Sequence, residues 1–265
     1  MTGGQFIAIF LFLLFSALFG MFGIGGGAIY TPVQLFLGTS FNEAATLTLF
    51  LITVTSFFSG FVYIRAQLVD AGLVATLAGT SFVGSIFGGW SASLLPESLL
   101  LGLFSFFLFV NGVHLTVSRS VEGGEEGFAD NRRFCWQRTV AGKTLRVYLP
   151  LALPTALLSG LFGGMVGLGG GIVMLPLMII LLRFPIKVSI ACSSFLAAFT
   201  GLGGFLSRLP HYPIDWKFAL FAAAAVALGS MVGARWTVHS SSKSLKRLLG
   251  LFFVAIAVVL FLRGG

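Results

Sequence analysis

Gly20-Met21-Phe22-Gly23-Ile24-Gly25-Gly26-Gly27, with Pro32 behind it, returns as Gly164-Met165-Val166-Gly167-Leu168-Gly169-Gly170-Gly171, with Pro176 behind it. The offset is 144 residues at every matched position. Further on, Gly84-Ser85-Ile86-Phe87-Gly88 returns as Gly229-Ser230-Met231-Val232-Gly233, and Leu100-Leu101-Gly102-Leu103-Phe104 as Leu248-Leu249-Gly250-Leu251-Phe252, at offsets of 145 and 148. Three blocks repeated in one order, displaced only by small insertions, indicate a duplication of roughly 120 residues.

Composition sets the solvent in which the duplicated unit folds. Of 265 residues, 57% are hydrophobic and 9% charged, against about 25% charged in soluble domains. Mean hydropathy is +1.02. Apolar runs near the roughly 20 residues that a helix needs to cross a bilayer recur along the chain, so the expected class is an all-α polytopic membrane protein. The net charge of +8 is spread between the apolar runs rather than gathered in a block. That pattern signals topology and argues against nucleic-acid binding. Cys135 lies in a polar stretch and Cys192 in an apolar run, a placement that speaks against a disulfide and against a metal site. The N-terminus has no basic region of a cleaved signal, and its apolar stretch is expected to remain as the first span.

Each repeat reads as five apolar segments: 5–22, 28–38, 44–64, 69–90 and 98–117, then 148–165, 172–182, 189–207, 214–236 and 245–263. The organisation is therefore an N-terminal transmembrane repeat over 1–117, a polar linker over 118–147 and a C-terminal repeat over 148–265. The second segment of each half is too short for a full span. An extended glycine run in front of it supplies about 16 Å more, enough together to cross about 30 Å of hydrocarbon. If these segments cross, each half has an odd number of spans and the halves are inverted. With the linker in the cytoplasm, Arg65, the linker cations, Arg183, Lys187, Lys243, Lys246 and Arg247 then lie inside, and Arg208, Lys217 and Arg263 outside. If they re-enter instead, five of those inner cations move outside. The positive-inside rule favours two inverted repeats of five segments, a Gly-broken half-helix in each, and both termini outside.

Non-helical backbone at membrane depth is tolerated only where it is buried or lines a cavity. Consecutive glycines permit such a path. Their N–H groups can converge on an anion, and the half-helix behind them aims its positive dipole end the same way. Pro32 and Pro176 are expected in the first helical turn, where a missing N–H costs nothing. The candidate substrate site is Gly25, Gly26 and Gly27 with Gly169, Gly170 and Gly171, completed by the hydroxyls of Thr46, Thr48, Ser193 and Ser194 and by Gln34 on the first short segment. Arg65 and Arg208, near the ends of the third segments, are expected as cations at the anion entrances or as snorkelling anchors. Asp70 and Asp215 are expected to cap the fourth helices. The Gly-x-x-x-Gly pairs 84/88 and 229/233 are expected to be helix-packing sites.

GIGGGAIYTP at Gly23 to Pro32, GLGGGIVMLP at Gly167 to Pro176 and KVSIACSS at Lys187 to Ser194 resemble the TauE/SafE family of sulfite and organosulfonate exporters. The first-half counterpart of the last motif departs from it, reading NEAATLT at Asn42 to Thr48. The resemblance covers essentially the whole chain. It implies a secondary transporter of a small sulfur-containing anion in the bacterial inner (cell) membrane, with no cofactor. The expected partners are that anion and the lipid bilayer, with a homodimer among the admissible assemblies. Rival readings are a passive anion channel and a non-transport scaffold subunit. An intramembrane enzyme is disfavoured. The chain has no Ser with a His partner, no pair of mid-span aspartates and no His-Glu-x-x-His site in a plausible arrangement.

Overall fold

A computed structural model of the chain describes residues 3–100, 102–103, 135–140, 143–180, 184–241 and 245. In order, the helices are α1 (Gly3–Phe22), α2 (Gly27–Phe36), α3 (Phe41–Arg65), α4 (Ala71–Ala92), α5 (Leu149–Val166), α6 (Gly171–Ile180), α7 (Ile186–Arg208) and α8 (Trp216–His239). Six of these, all but the ten-residue α2 and α6, are long and apolar enough to cross a membrane. Each half thus runs long, short, long, long. The segments expected at 98–117 and 245–263 fall almost wholly outside the described residues.

Local chemistry accounts for the helix starts. Asp70 accepts from Leu73 N at 2.7 Å, and Asp215 from Lys217 N at 3.0 Å and Phe218 N at 3.3 Å, so both caps form as expected. The two prolines differ from expectation. Pro32 and Pro176 are each the sixth residue of their short helix, not in its first turn. The helices begin directly on Gly27 and Gly171, because left-handed glycines just before them turn the chain sharply enough that no lead-in is needed. Pro32 then has no N–H to give the Ala28 carbonyl one turn earlier.

The linker also departs from an all-helical chain. Strands β1 (Cys135–Val140) and β2 (Lys143–Tyr148) pair antiparallel, with Cys135 opposite Tyr148 and Val140 opposite Lys143. The β-branched and aromatic residues Trp136, Thr139, Val140, Thr144, Val147 and Tyr148 suit a pleated ribbon despite the neighbouring charges.

Packing follows the repeat. α4 lies on α5 and α1 on α8, while α3 packs on α7. A Cβ on Gly84 or Gly88 would run into the carbonyl oxygens of Leu157 and Leu161 on α5, and one on Gly229 or Gly233 into those of Leu13 and Ala17 on α1. Leu157 and Leu161 stand 144 residues after Leu13 and Ala17, so each contact has a mate with the halves exchanged. Gly20 against Ser230 and Gly164 against Ser85 extend the same exchange. The glycine pairs are packing sites, and the halves interlock through them.

Sidedness is opposite to that of a water-soluble protein. Phe6, Phe10, Phe57, Phe87, Leu228 and Val232 are exposed, whereas Ser16, Thr55, Ser59, Ser81, Ser159, Ser193, Ser194 and Thr200 are buried. Hydrocarbon accepts the first group, and close helix packing with interhelical hydrogen bonds uses the second. Half-exposed Trp90, Trp216 and Trp236 near helix ends suit the headgroup level.

A paired substitution checks this packing. A Cβ on Gly79, also on α4, would meet nothing within 4 Å. Gly88→Ala is expected to lower the thermal midpoint in detergent, at a cost of about 1–3 kcal/mol, by wedging α4 from α5. Gly79→Ala should leave it unchanged or slightly raised, because alanine is the better helix former. Equal midpoints for the two variants would refute the close contact.

Candidate functional site

The glycine runs take a left-handed path between helices. Gly23, Gly25 and Gly26 have φ of 63°, 86° and 96°, and Gly167 and Gly169 have 78° and 74°. Side-chain-bearing residues rarely adopt these values, which is why glycine occupies them. Both short helices then open alike, with Tyr30 N donating to Gly26 O at 3.1 Å and Met174 N to Gly170 O at 3.0 Å. No side chain caps α2 at Gly26. The N–H groups of Gly27 and Ala28 in its first turn have no intrahelical acceptor.

The two runs meet. A Cβ on Gly27 would stand 2.5 Å from Leu168 O, and one on Gly171 would stand 3.0 Å from Gly23 O and 3.1 Å from Ile24 Cα. Ile24 and Leu168 are equivalent positions of the repeat, so each run is crossed by its mate at the start of a short helix. The Ile52 side chain bridges them, lying 2.7 Å from a Cβ on Gly25 and 3.1 Å from one on Gly169. Two positive helix ends are thereby held at one crossing.

Hydroxyls reach this crossing unevenly. Ser193 Oγ donates within its range to Gly23 O (3.1 Å) and Ile190 O (3.0 Å), tying the first run to α7. Ser194 Oγ lies 3.0 Å from Ser56 O and 2.7 Å from Ser59 Oγ. Thr48 Oγ1 accepts from Thr31 Oγ1 at 3.0 Å and from Gln34 Nε2 at 2.9 Å, while Gln34 Nε2 also reaches Tyr30 O at 3.1 Å. Gln34 Oε1 is buried with no partner. Thr46 Oγ1 bonds back to Asn42 O at 2.7 Å and joins neither group.

Other polar residues stand closer to the glycines than sequence reasoning anticipated. A Cβ on Gly170 would lie 2.6 Å from Thr200 Oγ1 and 2.9 Å from Ser159 Oγ, and the Ser159 hydroxyl donates to Gly170 O at 2.7 Å. On the first run the Tyr30 ring covers Gly26, and its hydroxyl lies 3.1 Å from Thr55 Oγ1. Thr55 and Thr200 stand 145 residues apart, so the repeat offset was the signal that could have found them.

The two arginines have different surroundings. Arg65 is exposed, its guanidinium 4.4 Å from the Phe61 ring centroid. Arg208 is 0% exposed and donates through Nη1 to Met165 O and through Nη2 to Asn42 Oδ1, both at 2.7 Å. They are not counterparts in the fold. The residue in the place of Arg208 is Tyr63, whose hydroxyl donates to Gly20 O at 2.6 Å and has Met21 O, the repeat mate of Met165 O, at 3.2 Å.

A family model described as Sulfite exporter TauE/SafE matches residues 8–260, from α1 to beyond α8. The chain belongs to that family. This TauE/SafE protein is a multi-pass membrane protein of a transporter family and not an enzyme. It is 25% identical over 97% of both chains to the "Probable membrane transporter protein YunE" of Bacillus subtilis. A "Probable membrane transporter protein" of Methanocaldococcus jannaschii is 26% identical, over 86% of this chain and 85% of its own. A Xylella fastidiosa protein of the same description is 26% identical, over 92% of this chain and 90% of its own. No solved structure matches the chain.

Proposed function

We propose that the protein is a secondary carrier, working as an exporter of a small sulfur-containing anion such as sulfite or an organosulfonate, in the bacterial inner membrane. The anion binds near the midplane at the crossing of the two glycine runs. The observation that carries this reading is the crossing itself, with Gly27 against Leu168 and Gly171 against Ile24. Each of the two helix starts contributes about half a positive charge, which together roughly match one negative charge. Binding by dipoles and neutral donors is weak enough to allow release. The exchange between the halves of the contacts at Gly84 and Gly229, Gly88 and Gly233, and Gly20 and Gly164 supports two repeats related by a two-fold axis. Five segments per half would make them inverted, so that rocking one against the other opens the crossing to either side.

Purified protein in proteoliposomes, tested with labelled sulfite, thiosulfate, sulfoacetate, taurine and chloride, checks the proposal. The expected result is saturable flux of a sulfur anion, accelerated by the same anion on the opposite side. Flux that rises linearly with concentration and ignores the opposite side would identify a channel instead. Absence of flux for every sulfur anion would overturn the substrate class.

A further inference from the structure

Arg208 is a fully buried cation at the C-terminal end of α7. Its two hydrogen-bond partners are neutral acceptors, Met165 O and Asn42 Oδ1. The nearby Tyr212 ring, with its centroid 5.5 Å from Cζ, is neutral too. No carboxylate pairs with it among the described residues, and its Nε is buried without an acceptor. Met165 belongs to the last turn of α5, whose dipole offers about half a negative charge against a whole positive one. A buried charge left in that state is costly, and a guanidinium presents its N–H groups as a fork shaped for paired oxygens. Nε–H together with a neighbouring Nη hydrogen forms such an edge.

The equivalent place in the other half is closed differently. The Tyr63 hydroxyl donates to Gly20 O at 2.6 Å and has Met21 O at 3.2 Å. Thr237 Oγ1 also bonds Met21 O, at 2.8 Å. That position is satisfied, uncharged and offers no spare donor. The repeat therefore carries a full positive charge at one of two equivalent places, bound to the carbonyl of Met165 three residues ahead of Leu168 in the second run.

We infer that Arg208 is the charged binding residue for the transported oxyanion, engaging two of its oxygens edge-on through Nε and an adjacent Nη, and that the Tyr63 place in the other half binds no anion. The inference rests on the carrier reading above and adds to it a step with one-sided charge. An anion leaving the neutral crossing toward Arg208 meets a monopole, and one leaving toward Tyr63 does not. A headgroup phosphate has the same oxygen chemistry, so the test separates it from the free anion.

Sulfite-dependent stabilisation in detergent and the KM for sulfite uptake should be measured for the wild type and for Arg208→Gln, Arg208→Lys and Tyr63→Phe, in liposomes with and without anionic lipid. The expected result is loss of the sulfite-induced thermal shift and a KM raised about tenfold or more in Arg208→Gln, as fits loss of a charge-assisted pair. Arg208→Lys, which keeps the charge but not the fork, should recover part of both, and Tyr63→Phe should keep the wild-type KM. If Arg208→Gln does not fold, Arg208→Lys decides, since a purely structural role predicts wild-type KM at reduced stability. Wild-type KM and thermal shift in both Arg208 variants would overturn the inference. So would an effect confined to anionic-lipid dependence, which would assign the guanidinium to a headgroup. A wild type that carries no sulfur anion would instead overturn the carrier reading.

Discussion

A valine at position 27 is expected to stop anion transport altogether and to destabilise the protein by about 1–3 kcal/mol. Gly27 opens α2 with an ordinary helical backbone, so conformation alone does not demand glycine there. The obstacle is the other run. A Cβ would stand 2.5 Å from Leu168 O and 2.7 Å from Leu168 Cα, and because both atoms are backbone no rotamer change relieves the clash. α2 must withdraw from the second glycine run, and the two positive helix ends part. Gly38→Ala supplies the control. Gly38 has φ 83° with nothing within 4 Å of its Cβ position, so alanine there strains the backbone without touching the crossing. It should cost about 1–2 kcal/mol of stability and leave the KM intact. Thermal unfolding and sulfite uptake measured on both variants separate the effects. Normal uptake by Gly27→Val would show that the crossing is packing and nothing more.

What was legible in the sequence was what depends on local pattern. The glycine runs, the short helices behind them and the caps at Asp70 and Asp215 each rest on a few adjacent residues, and the helices end within a few residues of the apolar runs that forecast them. The linker hairpin was obscured because charged residues were weighed above the β-branched and aromatic ones between them. The pairing of Arg65 with Arg208 failed for another reason. Both sit near the end of a third segment, but the repeat offset of 145 residues, already fixed by Gly84 and Gly229, sets Tyr63 opposite Arg208. Register is the stricter criterion, since it preserves which face of the helix a residue occupies. Hydroxyl direction was not legible at all. Ser193 and Thr46 face backbone carbonyls by choice of rotamer, which neither spacing nor composition records.

Gln34→Met is expected to raise the KM for sulfite about tenfold while changing stability by no more than about 1 kcal/mol in either direction. The amide is buried, and its orientation follows from chemistry. Tyr30 O can only accept, so the nitrogen must face it, and the same nitrogen reaches Thr48 Oγ1 at 2.9 Å. Oε1 is then left as a buried acceptor without a donor, a state that ordinarily costs about 1–3 kcal/mol. Methionine matches the length, removes the orphan and leaves Thr48 its bond from Thr31, so gains and losses nearly cancel in the resting protein. They do not cancel in the carrier cycle if the carbonyl accepts from the O–H of a protonated sulfur oxyanion. Gln34→Glu sharpens the test, because it keeps the shape and adds a negative charge beside the anion. Its KM should rise beyond that of Gln34→Met. Wild-type KM in both variants would remove Gln34 from the site and leave its free oxygen as tolerated strain.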